Sequence, residues 1–308
     1  MASKLQLKSK IRAVGNIKQI TKAMQLVSAT KMRKAQEVAL RARPYAKHAL
    51  SLLLRLETVA QESTQKGPLW EKRAEGKVLL VVVTSDKGLS GTFNSTVLKT
   101  AFQIFSERQK EGVEIVAVGK KARDFFKKRK AVIAAEFFKF SDIVTLYEVS
   151  PLAEWILRSY EKGAYKEVIF CSMRFVSALV QKPAVHPVLP IQAAELKAIV
   201  EDIVPKTGKF SSLKEPESES DIFYKTEPSP EQIVQQLSYD LVRVQILHAI
   251  FESNASEHSS RMFAMKNATE NAQNLQYSLN LQLNKARQAA ITQELTEIST
   301  AKEALTNQ

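Results

Sequence analysis

A chain of 308 residues, 44% hydrophobic and 25% charged, can bury a core and is not a disordered polymer. With 9 Gly, 10 Pro and 7% aromatic residues it holds few turn formers for its length, which argues for long elements and against many short strands. A single cysteine, Cys171, excludes an internal disulfide, and the histidines His48, His186, His248 and His258 show no metal-binding spacing. The longest apolar run, Val78 to Val83, falls far short of the roughly 18 residues of a membrane span. Residues 1–30 lack the apolar centre of a secretory signal, so a cytosolic chain is expected.

The net charge of +13 is unevenly spread. Residues 1–44 carry 11 Lys/Arg against the lone acid Glu37, a surplus of +10, whereas 231–308 carry 6 basic and 8 acidic residues. A cationic arm of this kind suits either nucleic acid or an acidic protein partner, because electrostatic steering serves both.

From the N-terminus, residues 3–43 contain no proline and only Gly15. Ile11, Val14, Ile17, Ile20, Met24, Val27 and Met32 recur mostly three or four apart, which predicts an amphipathic helix with a narrow apolar stripe. Pro44 either kinks it or bounds it, and Leu50, Leu53, Leu54 and Leu56 predict helix again to about residue 62. Gly67-Pro68 ends the region.

Lys77 to Thr84 (KVLLVVVT) reads as a strand buried on both faces. After a Gly/Ser/Asp loop, a helix is predicted over 94–111, strands over 113–118, 131–135 and 167–171, and helices near 120–129 and 150–162. Phe175–Val180 and Val185–Ile191 are expected to add a hairpin or edge strand. Alternating strands and helices predict a parallel sheet covered on both faces. Residues 193–230, with four prolines and Gly208 among Ser, Glu and Lys, read as a linker or surface insertion. From Glu231 to Gln308 there is neither Gly nor Pro. The stripe Leu237, Leu241, Val244, Leu247, Phe251, Ala255, His258, Met262, Met265, Ala268, Ala272, Leu275, Leu279, Leu283, Ala286 and Ala290 has a mean step of about 3.5, the left-handed supercoil period.

The expected fold is therefore α/β with long helices: an antiparallel coiled coil of N- and C-terminal helices plus a central Rossmann-like α/β domain. Its expected divisions are 1–66 (first coiled-coil helix), 77–192 (α/β domain), 193–230 (linker or insertion) and 231–308 (second coiled-coil helix). The second helix outlasts the first, so its tip, with Leu283, Ile291, Leu295, Ile298 and Leu305, is expected to need a partner.

Ser85–Asn94 (SDKGLSGTFN) follows the first strand and leads into a helix. It lacks both the Walker and the complete G-x-G-x-x-G spacing, so a tight turn is the better reading than a phosphate cradle. Cys171 at a strand end reads as a small buried hydrophobe. Two stretches resist an ordinary reading. One is Gln19–Gln36 (QITKAMQLVSATKMRKAQ); the other comprises Arg261–Glu270 (RMFAMKNATE) and Asn284–Ile298 (NKARQAAITQELTEI). Between 267 and 293, ten of 27 residues are Asn or Gln, a surface suited to a protein environment rather than to water.

These two stretches and the SDKGLSGTFN loop that lies between them, in their order along the chain, resemble the gamma subunit family of F-type ATP synthases. The resemblance covers both terminal helices and the central domain. Two departures are the longer, more charged 197–230 segment and the absence of the cysteine pair that a plastid-type redox switch requires, so thiol regulation is not expected. The resemblance implies a bacterial-type rotor subunit, present once per complex, that couples proton flow to ATP synthesis or hydrolysis. The implied partners are the alpha and beta subunits of an alpha3beta3 hexamer, the epsilon subunit and the membrane c-ring. It implies no catalytic residue, cofactor or metal of its own, no nucleic acid and no insertion into the bilayer. The implied location is peripheral, at the cytoplasmic face of the bacterial cell membrane. Carried over by motif, Lys22 and Met24 face the beta levers, and Arg261, Gln288, Thr292 and Glu294 contact the catch loops of the hexamer. Asp86, Lys87, Gly88 and Gly91 lie at the foot, facing the c-ring or epsilon. The competing reading is a nucleic-acid-associated coiled-coil protein using its basic first helix.

Overall fold

The structure, a computed structural model, describes residues 4–60, 67–142, 144–192 and 230–306. Of the expected insertion at 193–230, residues 193–229 lie outside the described residues and Pro230 already opens the last helix. Helix α1 (Lys4–Ala60) runs through Pro44. Then follow β1 (Lys77–Val83), α2 (Phe93–Glu107), a single 3-10 turn (Gln109–Glu111), β2 (Val113–Val118), α3 (Lys120–Lys128) and β3 (Ile133–Phe137). The chain continues through α4 (Leu146–Glu161), β4 (Tyr165–Phe175), β5 (Gln181–Leu189) and α5 (Pro230–Thr306). Helix α5 is 77 residues long. The chain divides into two compact units, one of residues 30–260 and one of 1–29 with 261–308.

In the first unit, the strands form one sheet in the order β3-β2-β1-β4-β5, parallel except for the β4–β5 hairpin. Period-2 alternation of β1 explains its uninterrupted apolar run. Leu79, Val81 and Val83 face one layer with α4 and the Leu241–Phe251 stretch of α5, and Val78, Leu80 and Val82 face the other with α2 and α3. A strand buried on both faces has no polar side to present, and each such side chain contributes about 1.5–3 kcal/mol. Helix α4 starts at a capping box: the Thr145 hydroxyl accepts from Glu148 N–H (3.3 Å) and the Glu148 carboxylate accepts from Thr145 N–H (2.8 Å). Several strand boundaries differ from the sequence reading: β5 begins at Gln181 instead of Val185 and ends at Leu189, and of the expected Phe175–Val180 element only Phe175 is in a strand, the rest forming the turn between β4 and β5. β3 begins two residues later than expected, after the turn at Arg129–Lys130. β4 extends well beyond 167–171 because β5 pairs along it from Val168 to Phe175.

In the second unit, α1 and α5 pair antiparallel. The Thr21 and Thr269 hydroxyls are 2.8 Å apart, and a Cβ added at Gly15 would lie 3.4 Å from the Gln276 side chain. As one number falls the other rises, which fixes the direction. Buried Leu7, Thr21 and Ser28 recur at multiples of seven, opposite buried Met265, Thr269, Ala272 and Leu279. The expected pairing direction is therefore seen, but the seam follows the apolar stripe only in part: Met265, Ala272 and Leu279 of the stripe are in it. Ile17 (52% exposed), Ile20 (60%) and Val27 (52%) point away from it, and on α5 the seam uses Thr269 and Gln276 where hydrophobicity selects Ala268 and Leu275. Small and polar side chains let the helices approach closely, and a polar pair specifies register at some cost in stability. Extending this register, Lys4 lies level with about residue 287, leaving roughly 19 residues of α5, about 29 Å, beyond α1. Ile291, Leu295 and Ile298 on that stretch are exposed.

Each hydroxyl of the central pair also reaches a carbonyl of its own helix, Lys18 at 3.1 Å and Met265 at 2.7 Å. One proton of the pair bridges the helices while the other satisfies a carbonyl. Thr21→Val and Thr269→Val should therefore be coupled in a double-mutant cycle by about 0.5–1.5 kcal/mol, as read by urea unfolding. Strict additivity would show that the hydroxyl pair does not hold the register.

Candidate functional site

A doubly wound sheet offers a ligand crevice where strand order reverses, at the carboxyl ends of the strands; here that point lies between β1 and β4. On the other side of β1, the start of α3 at the end of β2 would likewise normally offer free N–H groups to a phosphate. In this chain they are already taken. Asp86 accepts Lys120 N–H at one carboxylate oxygen and Lys139 N–H at the other, both at 2.9 Å. Thr84 Oγ1 accepts Ala122 N–H at 2.9 Å, and the Ser85 carbonyl accepts Lys121 N–H at 3.2 Å. The residues after β1 thus supply a built-in anion and tie the ends of β1, β2 and β3 together. Asp86, expected at the foot as a partner contact, has both carboxylate oxygens engaged inside the chain.

The rest of the loop is held by Asn94. Its side-chain oxygen accepts Ser85 N–H (3.0 Å), and its NH2 donates to Ser85 Oγ (2.8 Å) and Ser90 Oγ (3.0 Å). Ser260 Oγ donates to the Ser90 carbonyl at 2.6 Å. This frame leaves Lys87, Gly88 and Gly91 exposed and pushes out Leu89, 65% exposed at φ 61°. A branched apolar residue in the left-handed region at a loop tip is costly both in backbone energy and in hydration. Sequence patterning missed Leu89, because nothing in its neighbours signals its φ.

The remaining expected contact residues fall at two levels of the α1–α5 pair. The register puts Met24, half-buried, level with about residue 266; Lys22 is exposed and its ammonium is 3.3 Å from Gln25 Oε1. Arg261 is only 8% exposed. Gln288, Thr292 and Glu294 are exposed, and the Thr292 hydroxyl donates to the Gln288 carbonyl at 3.0 Å. From residue 266 to residue 292 the helix rises roughly 40 Å. The structure therefore does not gather these residues into one site but spaces them along a shaft.

One cluster has no sequence signal at all. Asp142, in the β3–α4 loop, pairs with Lys31 on α1 at 2.8 Å and with His258 on α5 at 3.2 Å, and Asn254 donates to the Ser141 carbonyl at 3.2 Å. Burial works against the Asp142 carboxylate, but the hydrogen bond and charge of Lys31 and the contact with His258 outweigh it and hold its carboxyl below the ordinary range. Because the folded carboxyl titrates lower than an unfolded one, this tie is complete above the ordinary carboxylate range and is lost as pH falls through the folded value. Among the described residues no group of His, Cys, Asp and Glu is placed to hold a metal ion.

Gly119 makes the close approach of β1 and β2 workable. At φ 93°, an added Cβ would stand 2.1 Å from the Thr84 carbonyl oxygen, so only glycine fits. Gly163, at φ 78°, has nothing within 4 Å of such a Cβ. Gly163→Ala should cost only the left-handed conformation, ~1–2 kcal/mol, and Gly119→Ala clearly more, in thermal unfolding. Equal losses would show that β1 and β2 do not pack closely at Thr84.

A family profile described as "ATP synthase" matches residues 3–305. The ATP synthase gamma chain of Chloroflexus aurantiacus is 36% identical over the full length of both chains, and that of Roseiflexus castenholzii 38% identical over 99% of each. Among solved structures, a chain of the Euglena gracilis mitochondrial ATP synthase OSCP/F1/c-ring assembly superposes with a TM-score of 0.61 at 18% identity, covering 97% of this chain and 93% of that one. A chain of the Tetrahymena thermophila mitochondrial ATP synthase central stalk and c-ring superposes with a TM-score of 0.58 at 21% identity, covering 81% and 99%. These likenesses extend the fold across the whole length, and with the full-length sequence relatives they lead to one assignment: the chain belongs to the ATP synthase gamma chain family.

Proposed function

We propose that this chain is the central rotor shaft of an F-type ATP synthase, coupling proton flow through a membrane sector to ATP synthesis or hydrolysis in an alpha3beta3 hexamer. The observation that carries the reading is α5: 77 residues of unbroken helix, paired with α1 over only part of that length and ending in an exposed apolar stretch. An element of this kind is a lever, not a container for a substrate. The c-ring and F1 assemblies of the structural relatives supply the partners, with epsilon beside the foot. The chain itself acts without a catalytic site, as a peripheral subunit at the cytoplasmic face of a bacterial membrane. Among the described residues no helix is long and apolar enough to cross a bilayer.

The physics of such a shaft is differential binding. Three chemically identical catalytic subunits meet three different faces of one asymmetric rod, so each orientation favours a different nucleotide affinity. To swing one subunit from 1:99 to 99:1 requires about 5.5 kcal/mol of differential contact. A hydrogen bond to a charged group supplies about 1.5–3 kcal/mol, so several contacts must change together. Residues at separate levels of the shaft meet that demand: Lys22, Met24 and Arg261 near one, and Gln288, Thr292 and Glu294 near the other. In this reading Lys87, Gly88 and Gly91, with Asp86 fixing their loop, face the c-ring or epsilon.

The test compares ATP hydrolysis with ATP-driven proton pumping in reconstituted membranes. Arg261→Ala should impair assembly or coupled turnover more than Lys302→Ala, because losing one partner of a buried charged contact typically costs ~2–5 kcal/mol. Met24→Lys adds a charge to a half-buried position facing the levers. It should leave hydrolysis running while lowering the protons pumped per ATP. Wild-type ratios in both variants would remove these residues from the coupling path.

A further inference from the structure

Helix α3 and the turn after it carry a charge density that neither the fold nor the shaft explains. Residues 120–130 (KKARDFFKKRK) hold seven cations and one acid. Lysines in the last turn of a helix complement its dipole, but Lys120 and Lys121 sit at the first turn, where a positive charge is unfavourable. The two arginines and the acid are spoken for locally. Arg123 pairs with Asp124 at 2.8 Å and stands 5.1 Å over the Phe138 ring. Arg129 lies 3.5 Å over the Phe125 ring and 5.1 Å from that of Phe102. Lys120, Lys127, Lys128 and Lys130 remain exposed, and among the described residues none of them forms an ion pair. Val132, 60% exposed, adjoins them.

We infer that this lysine face of α3 is a contact surface for anionic phospholipid headgroups at the bilayer. The inference rests on the rotor reading, which brings the α/β domain beside the membrane sector. Four chemical features select this occupant. The sign and density match a negatively charged leaflet, whose potential attracts each nearby Lys or Arg. The free cations are lysines, hydrated point charges suited to a diffuse headgroup layer, whereas the guanidinium groups that grip single phosphates in a fixed geometry are stacked away. The aromatic rings lie under Arg129 and Arg123, so they do not offer bare faces for stacking nucleic-acid bases. Finally, a diffuse contact carries no fixed register and so does not lock a turning foot in place.

The test uses the assembled alpha3beta3 complex with this chain, in which the hexamer encloses the cationic terminal helix. Flotation is measured with vesicles of phosphatidylcholine alone and with about 30% phosphatidylglycerol added, at low and high salt. The wild-type complex should float with the anionic vesicles only, and salt should release it. The triple variant Lys127→Gln, Lys128→Gln, Lys130→Gln should lose at least tenfold in binding, against the roughly hundredfold of three fully engaged lysines. A control triple variant, Lys72→Gln, Lys162→Gln, Lys182→Gln, removes the same charge elsewhere on the α/β domain and should stay within about twofold of wild type. Equal binding by wild type and the first triple variant would overturn the assignment, as would equal flotation with neutral vesicles. Tighter, lysine-dependent binding to random RNA or polyglutamate than to anionic vesicles would overturn it too. Assembly is read separately through ATP hydrolysis, so a complex that turns over yet ignores anionic lipid refutes the lysine surface and leaves the rotor reading standing.

Discussion

The hydroxyls of Thr21 and Thr269, 2.8 Å apart in the α1–α5 seam, set the register on which the placement of the shaft residues depends. A seam of leucines would bind the helices more strongly, but it would tolerate sliding by a heptad and would space them further apart. A pair of hydroxyls that must meet, beside Gly15 and Ser28, accepts one alignment. The consequence is that the larger apolar residues of α1, Ile17, Ile20 and Val27, are displaced to the outside. Hydrophobic surface thus stays on the outer faces instead of serving the pairing itself.

The α/β unit obeys the opposite economy. Its sheet has the topology of a nucleotide-binding domain, yet the N–H groups at the start of α3 are satisfied by Asp86, Thr84 and Ser85. Fold alone would have suggested a ligand; the site chemistry answers differently. The same loop that caps the start of α3 presents Leu89 and the exposed Lys87–Gly88 pair outward.

Much of this was legible in the sequence, for identifiable reasons. The KVLLVVV run could only be a strand buried on both faces, and a stretch from Glu231 onward without Gly or Pro could only be one long helix. The direction of the helix pair followed from chain order. The seam was legible only in part: Met265, Ala272 and Leu279 stand in the stripe, but hydrophobicity ranks Ala268 and Leu275 above Thr269 and Gln276, while close approach of two helices ranks them the other way. Asp142 with Lys31 and His258 was invisible because the three residues come from distant parts of the chain and obey no local period. Asp86 was expected at the foot as a partner contact; its work inside the loop depends on backbone N–H groups that carry no sequence signature.

The central claim is that the chain turns inside a hexamer. Cys171 is buried, and burial pushes its thiol up to about 12, so a cysteine introduced at exposed Lys110 can be labelled selectively. With the hexamer immobilised and a bead attached at that position, ATP should drive rotation in one direction, in steps set by the three catalytic subunits. A bead that stays still while the same complex hydrolyses ATP at its full rate would contradict the account.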